Sequence, residues 1–343
     1  MRQSPFHDSL AVATWDTWFR WREGGQLRDV TIEATWGRIA AALAVASAED
    51  DRIDYRRQLQ DALADWRLLL DERVTAGAGT PTAHWPSDDL VAVLNAAVFV
   101  RAAGRAHAAF DHVGFGQTAA LAVRALEDAA VLAADARRPP ERVRLGMIGV
   151  ADALAGLGLA YDSAAGRSEA ARIARTLADG ALAGSIALAR TRGARVDGDL
   201  RWQRRALERG HFPALVEEAA RHGLRFRALT AITAQPRLAR FANRVADALD
   251  PADAAADANG DGATRLDGHA AGARRIGNGA ATTTIPAQLR MRAAVQPWID
   301  VPIDYPLAIG RAPDDATLAA WCKLAAELGL GVPRFDATGA ARA

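Results

Sequence analysis

Residues 142–163, RVRLGMIGVADALAGLGLAYDS, decide how this 343-residue chain is read. A helical core from Val150 to Leu157 follows two glycines, Gly146 and Gly149, and is closed by Gly158 ahead of a Tyr-Asp-Ser turn. Small residues at Gly146, Gly149 and Ala151 let the backbone pass close to a neighbouring element, and Gly158 suits a C-cap because glycine tolerates positive φ. On physics alone these are packing residues, not reactive ones. The stretch predicts a tightly packed helix start inside a core.

Outward from it, apolar periodicity predicts mostly helices. Residues 110–138 read as one long amphipathic helix with Phe115, Ala119, Ala122, Leu126, Ala129 and Ala133 inward. Glu169 to Arg192 reads as another, with Ile173, Leu177, Ala181, Gly184 and Leu188 on one side, and Leu200 to His222 as one or two arginine-rich helices. Towards the amino terminus, a helix begins at Asp29 with Ile32, Trp36, Ile39, Leu43 and Ala46 on its buried face. A second covers Asp54 to Leu70, and residues 71–89 form an ordered loop. Trp15, Trp18 and Trp21, three apart, fall along one side of a helix and anchor a core or a subunit contact. Strand character appears at Leu90–Val100, Arg225–Thr233 and Val332–Phe335, and a last helix at Asp314–Leu328. Asp250 to Thr284, rich in Ala, Gly, Asp and Asn, reads as a flexible linker or surface loop. The domains expected are therefore 1–87, a helical region; 88–249, a core region; 250–284, the linker; and 285–343, the carboxyl-terminal elements.

Composition narrows the function. With 42 basic and 41 acidic side chains the net charge is +1, which supplies no broad drive toward nucleic acid or an anionic membrane. No apolar run reaches the length of a membrane span and the first residues lack a signal pattern, so the expected location is the cytoplasm. The single cysteine, Cys322, excludes an intrachain disulfide and a CxxC pair, and with Lys323 the only lysine there is no phosphate loop of the GK[ST] type. Asp257, Asn259, Asp261 and Gly262 imitate half a calcium loop, but Gly268 stands where its bidentate glutamate belongs. His107 and His112, five apart, share no helix face. No metal is expected.

The 142–163 stretch resembles a segment of the catalytic barrel of the ribonucleotide reductase large subunit, adenosylcobalamin-dependent-like. The residues in common are Leu145, Gly146, Gly149, Ala151, Asp152, Leu157, Gly158, Tyr161, Asp162 and Ser163, with Arg144 departing from the small residue usual there. Trp66, Arg67, Leu69, Arg73, Ala76, Gly77, Gly79 and Thr80 are similar to the helical region preceding that barrel. Asn95, Ala96 and Ala97 resemble one of its strands, and Arg290, Met291, Ala293, Ala294 and Gln296 one of its last helices. The resemblance implies a mainly α fold with a few short strands: a helical amino-terminal region plus a truncated remnant of the reductase α/β barrel.

It also implies what is missing. The family's chemistry uses a thiyl radical within Asn-x-Cys-x-Glu and a further cysteine pair. This chain has no such motif, one thiol, read as a small core residue, and Asp89 where a reducing cysteine would begin the strand. Its sequence resembles the family as though spliced between Ser87 and Leu90. Leu229–Ile232 keep the start of the phosphate-binding loop, but Pro236 replaces a glycine and removes a donor. Thr230, Thr233 and Arg237 stay as candidates for a nucleotide phosphate, and no catalytic, cofactor or metal residues are assigned. The expectation is a pseudoenzyme serving deoxyribonucleotide biosynthesis and DNA replication. It would act as a scaffold binding a reductase subunit, a second copy of itself or a nucleotide. The alternative is a component of an active reductase, with adenosylcobalamin, whose missing section another chain supplies.

Overall fold

A computed structural model describes residues 5–81, 84–133, 140–251, 284–309 and 313–337. Asp8 caps α1 (Ser9–Thr14), its carboxylate accepting from the Leu10 and Ala11 N–H groups, and α1 runs into a π-helical turn over Trp15–Phe19. That wider turn breaks the three-residue spacing of the tryptophans. Trp15 is buried while Trp18 is 53% exposed, so the three do not form one anchoring face. A small hairpin, β1 (Arg22–Glu23) and β2 (Gln26–Leu27), leads to α2 (Ile32–Ala44), which Thr31 caps. Its Ile32, Trp36, Ile39 and Leu43 are buried as their spacing predicts. Asp29 lies ahead of the helix and pairs with Arg38 at 2.9 Å, both side chains buried. α3 (Glu49–Ala64) starts and stops earlier than expected, because Leu68–Leu70 form β3. Trp66 turns the chain between them at φ +57°. α4 (Glu72–Gly77) follows.

β4 (Val91–Asn95) is buried at every residue and is shorter than the predicted strand. The Asn95 side chain accepts from Ala97 N–H and opens a 3₁₀ turn over Ala96–Phe99. β5 (Val100–Arg101) and β6 (Ala109–Phe110) form a second hairpin before α5 (His112–Val131). Next come β7 (Arg142–Ile148), α6 (Val150–Gly156), α7 (Ala164–Arg192), α8 (Leu200–Arg209), α9 (Pro213–His222), β8 (Ala228–Thr230) and α10 (Pro236–Phe241). Beyond the undescribed residues lie α11 (Ile285–Val295), β9 (Leu307–Ile309), α12 (Asp315–Glu327) and β10 (Phe335–Ala337). The expected linker and the half calcium loop fall almost wholly outside the described residues.

The main sheet has the order β3-β4-β7-β8, with β4, β7 and β8 parallel and β3 antiparallel to β4. β7 runs through the first third of the stretch read as a helix start. Central parallel strands are covered on both faces and carry no alternation, so Val143 to Ile148 gave no period-two signal. The glycines serve the strand. A Cβ on Gly146 would sit 2.7 Å from the Ala231 carbonyl oxygen, and Gly149, at φ +70°, caps α6 where a Cβ would meet Asn95 Oδ1 at 2.7 Å. The outer edge of β8 is closed by one side chain. The Asp300 carboxylate accepts the Leu229 and Thr230 N–H groups at 2.8 and 3.1 Å, and Arg209 holds it at 2.6 Å. Among the described residues the strands therefore make an open sheet and no closed barrel, in a mainly α fold with a few short strands.

α5 and α7 pack on this sheet with their backbones nearly touching; a Cβ on Gly180 of α7 would lie 2.4 Å from the Gly116 carbonyl oxygen of α5. At the far end of α5 two wholly buried acids tie the helices together. Glu127 takes Arg195 at 2.9 Å and Arg225 at 2.5 Å, and Asp128 takes Arg192 at 2.5 Å. Burial pushes the Asp128 carboxyl up, against the pull of Arg192, Tyr55 and Arg124. One apolar core extends from Phe6 to Tyr305, and Ile285, Leu289, Leu307 and Ala325 form a smaller one under α12. Cys322, expected inside a core, is only half-buried on α12.

Candidate functional site

In open α/β sheets, ligands bind outside the carboxyl ends of parallel strands. Here those ends are Asn95, Ile148 and Thr230, and the chain's own residues 243–249 bond the backbone that follows β7 and β8. Gly149 N–H donates to the Ala246 carbonyl at 2.7 Å, Ala246 N–H donates to the Asp152 carboxylate at 2.6 Å, and Gln235 N–H donates to the Asp247 carboxylate at 2.8 and 3.0 Å. The covering segment holds three non-glycine residues in the left-handed region, Asn243 at φ +62°, Arg244 at +59° and Ala248 at +48°. Each such residue costs on the order of 1–3 kcal/mol, which the surrounding contacts must offset. Burial raises the Asp247 carboxyl to about 6; the Gln235 and Ala248 N–H groups pull the other way, and Asp250 adds to the rise.

The three sequence candidates do not converge. Thr230 is buried, its hydroxyl accepting from Asp300 N–H at 2.9 Å and donating to the Trp298 carbonyl at 3.2 Å. The Thr233 hydroxyl accepts from Gln235 Nε2 at 3.0 Å. Arg237 turns to the amino-terminal region, pairing with Glu72 and lying over the Trp18 ring at 3.9 Å. Asp152 and Asp247, which organise the strand ends, carried no local signal as a pair, because 95 positions separate them.

A second polar cluster lies beside this one. Asp250 accepts from the Tyr161 hydroxyl and from Arg292 Nη2, each at 3.0 Å, while Arg292 Nη1 donates to the Tyr305 carbonyl at 2.7 Å. Burial drives both tyrosine hydroxyls well above their usual range, and the Asp250 charge adds to it. The cluster fastens α11 to the segment before residue 252. His112 bonds Thr176 at 2.8 Å and Glu169 at 3.2 Å across α5 and α7. Among the described residues no three His, Cys, Asp or Glu side chains are grouped to hold a metal, and no helix is long and apolar enough to cross a membrane.

The stretch that bears these strand ends can be compared with known proteins. Residues 90–235 match the ribonucleotide reductase barrel domain. No curated protein matches the chain. The matched reductase-barrel segment starts one residue before β4 and ends at Gln235, so it contains all three parallel strands, α5 to α9 and the residues 142–163. It supports a ribonucleotide reductase large-subunit-like protein. Ala246 and Asp247, which bond Gly149 and Gln235 after β7 and β8, come from outside the reductase-barrel segment. Inside it, Arg144 pairs at 2.6 Å with Asp89, one residue before its start.

Proposed function

We propose that this ribonucleotide reductase large-subunit-like chain works without thiyl-radical chemistry, as a binding or regulatory scaffold whose partner is a protein. One observation carries the reading: the backbone leaving β7 and β8 at the carboxyl end of the reductase-barrel sheet is bonded to the chain's own residues 243–249. A substrate placed there would have to displace Ala246 and Asp247 from the Gly149 and Gln235 N–H groups. The candidate phosphate contacts point the same way, since Thr230, Thr233 and Arg237 each serve a different internal partner. The chemistry of the donor set agrees. A radical generated by adenosylcobalamin needs a thiol at the strand ends, and the only thiol of the chain is Cys322, on α12 beside the small second core. The residues present do not fit that cofactor's chemistry.

The test is turnover. Purified protein incubated with ribonucleoside di- and triphosphates and a dithiol reductant, with and without adenosylcobalamin, is expected to yield no deoxyribonucleotide. Product that disappears in the Cys322→Ala variant would overturn the proposal. Cross-linking in native extract is expected to recover a stable protein partner, and recovery of none removes the scaffold reading.

A further inference from the structure

The buried and half-buried arginines of the core are held by carboxylates, as Arg38, Arg195 and Arg225 are, while one helix carries three exposed arginines close together. Arg201, Arg204 and Arg205 of α8 are exposed and make no ion pair or hydrogen bond among the described residues, whereas Arg209 on the same helix holds Asp300. They share the solvent face of α8 with Leu200, 78% exposed, Leu207 and a single acid, Glu208. Nothing in the packing of α8 on α9 uses that face, since the residue buried there is Ala206.

A face of opposite sign lies on α3. Asp50, Asp54 and Asp61 recur at helical spacing on its exposed side with Ile53, 77% exposed, and two bases, Arg56 and Arg57, of which Arg57 pairs with Asp54 at 2.8 Å. Asp50 and Asp61 have no ion pair among the described residues. Each face thus carries a majority of one charge and an exposed branched apolar residue, with the signs reversed.

Their places in the fold complete the argument. α3 packs on α5, α5 on α7, α7 on α9 and α9 on α8, so three helices stand between the two in packing order. Both faces are exposed and so are not satisfied by each other within one molecule, and an interface between unlike patches propagates head to tail. We infer that α8 of one molecule docks on α3 of the next, so that a second copy of this chain is a partner of the scaffold. Charge complementarity gives the contact its register, and the leucines and Ile53 supply the apolar surface at its centre. The inference rests on the scaffold reading for its purpose, but it is tested by self-association of the pure protein and not by turnover or extract.

Sedimentation velocity on the full chain at low ionic strength is expected to show a mean mass that grows past the dimer with concentration and falls at high salt. The triple variants Arg201→Glu/Arg204→Glu/Arg205→Glu and Asp50→Arg/Asp54→Arg/Asp61→Arg should each weaken association about tenfold or more. All six positions are exposed, and an unchanged circular dichroism spectrum and melting temperature will confirm folding. Mixing the two variants restores both complementary contacts, so association should return in the mixture only. A wild-type chain that stays monomeric, variants that associate as the wild type does, or a mixture that stays monomeric would each overturn the proposal.

Discussion

The Asp247 carboxylate receives the Gln235 backbone N–H on both of its oxygens, at 2.8 and 3.0 Å, and so joins the segment after α10 to the last residue of the reductase-barrel match. The contact buries an acid in a place where its charge is disfavoured. Its carboxyl is raised from 3.8 to about 6.

That rise sets the sign of a pH effect. The folded state holds the Asp247 proton more tightly than the unfolded state, so the group's contribution is complete below about 3.8 and is lost as pH climbs to about 6. Asp247→Asn keeps an acceptor for Gln235 and cannot ionise. Urea unfolding across this range should show the variant gaining on the wild type as pH rises, by at most about 3 kcal/mol, with the difference levelling off about one unit above the folded value of about 6. A difference independent of pH would show that Asp247 is not the group responsible.

Glu127 is wholly buried between Arg195 and Arg225. Glu127→Ala leaves two guanidinium groups without their counter-charge and is expected to cost about 3–5 kcal/mol in chemical unfolding. The exposed pair Arg57–Asp54 provides the contrast, since Arg57→Ala should change stability by no more than about 1 kcal/mol.

Two glycines inside helices separate packing from propensity. Gly180→Ala places a methyl 2.4 Å from the Gly116 carbonyl oxygen, whereas at Gly37 of α2 the nearest atom lies 3.9 Å away. Thermal unfolding should show Gly180→Ala losing about 2 kcal/mol or more as α5 and α7 are forced apart, and Gly37→Ala gaining up to about 1 kcal/mol from helix propensity.

Arg237 is bound to Glu72 and stacked on Trp18, so its loss should be felt as stability and not as affinity. Arg237→Ala is expected to cost about 1 kcal/mol, with calorimetric titration of inorganic phosphate unchanged from the wild type. A phosphate affinity that is measurable in the wild type and absent in the variant would return Arg237 to the role its sequence position first implied.

The helices were legible because their signal is local. In α2 the Ile32, Trp36, Ile39 and Leu43 positions fall on one face wherever the chain goes, and in α7 Ile173, Leu177 and Leu188 do the same. β3 was not legible. Leu68 to Leu70 continue the apolar rhythm of α3, and only the β4 strand beside them, with Leu69 opposite Val93, makes them a strand. The same holds at the candidate site. Thr230 reads from the sequence as free to meet a phosphate, whereas Asp300, 70 residues on, claims both its hydroxyl and its N–H group.

By itself the sequence determined the helical framework, the resemblance of residues 142–163 to a reductase barrel and the poverty in thiols, because periodicity, motif and composition are properties of residues near one another or of the chain as a whole. Tertiary structure alone decided that Arg142–Ile148 is a central strand, that the sheet stays open with Asp300 closing its edge, and that Ala246 and Asp247 bond the backbone leaving β7 and β8. Those outcomes depend on hydrogen-bond donors and acceptors satisfied across long stretches of chain. A backbone N–H buried at a strand end must find an acceptor, and which one it finds is a matter of what folding brings beside it.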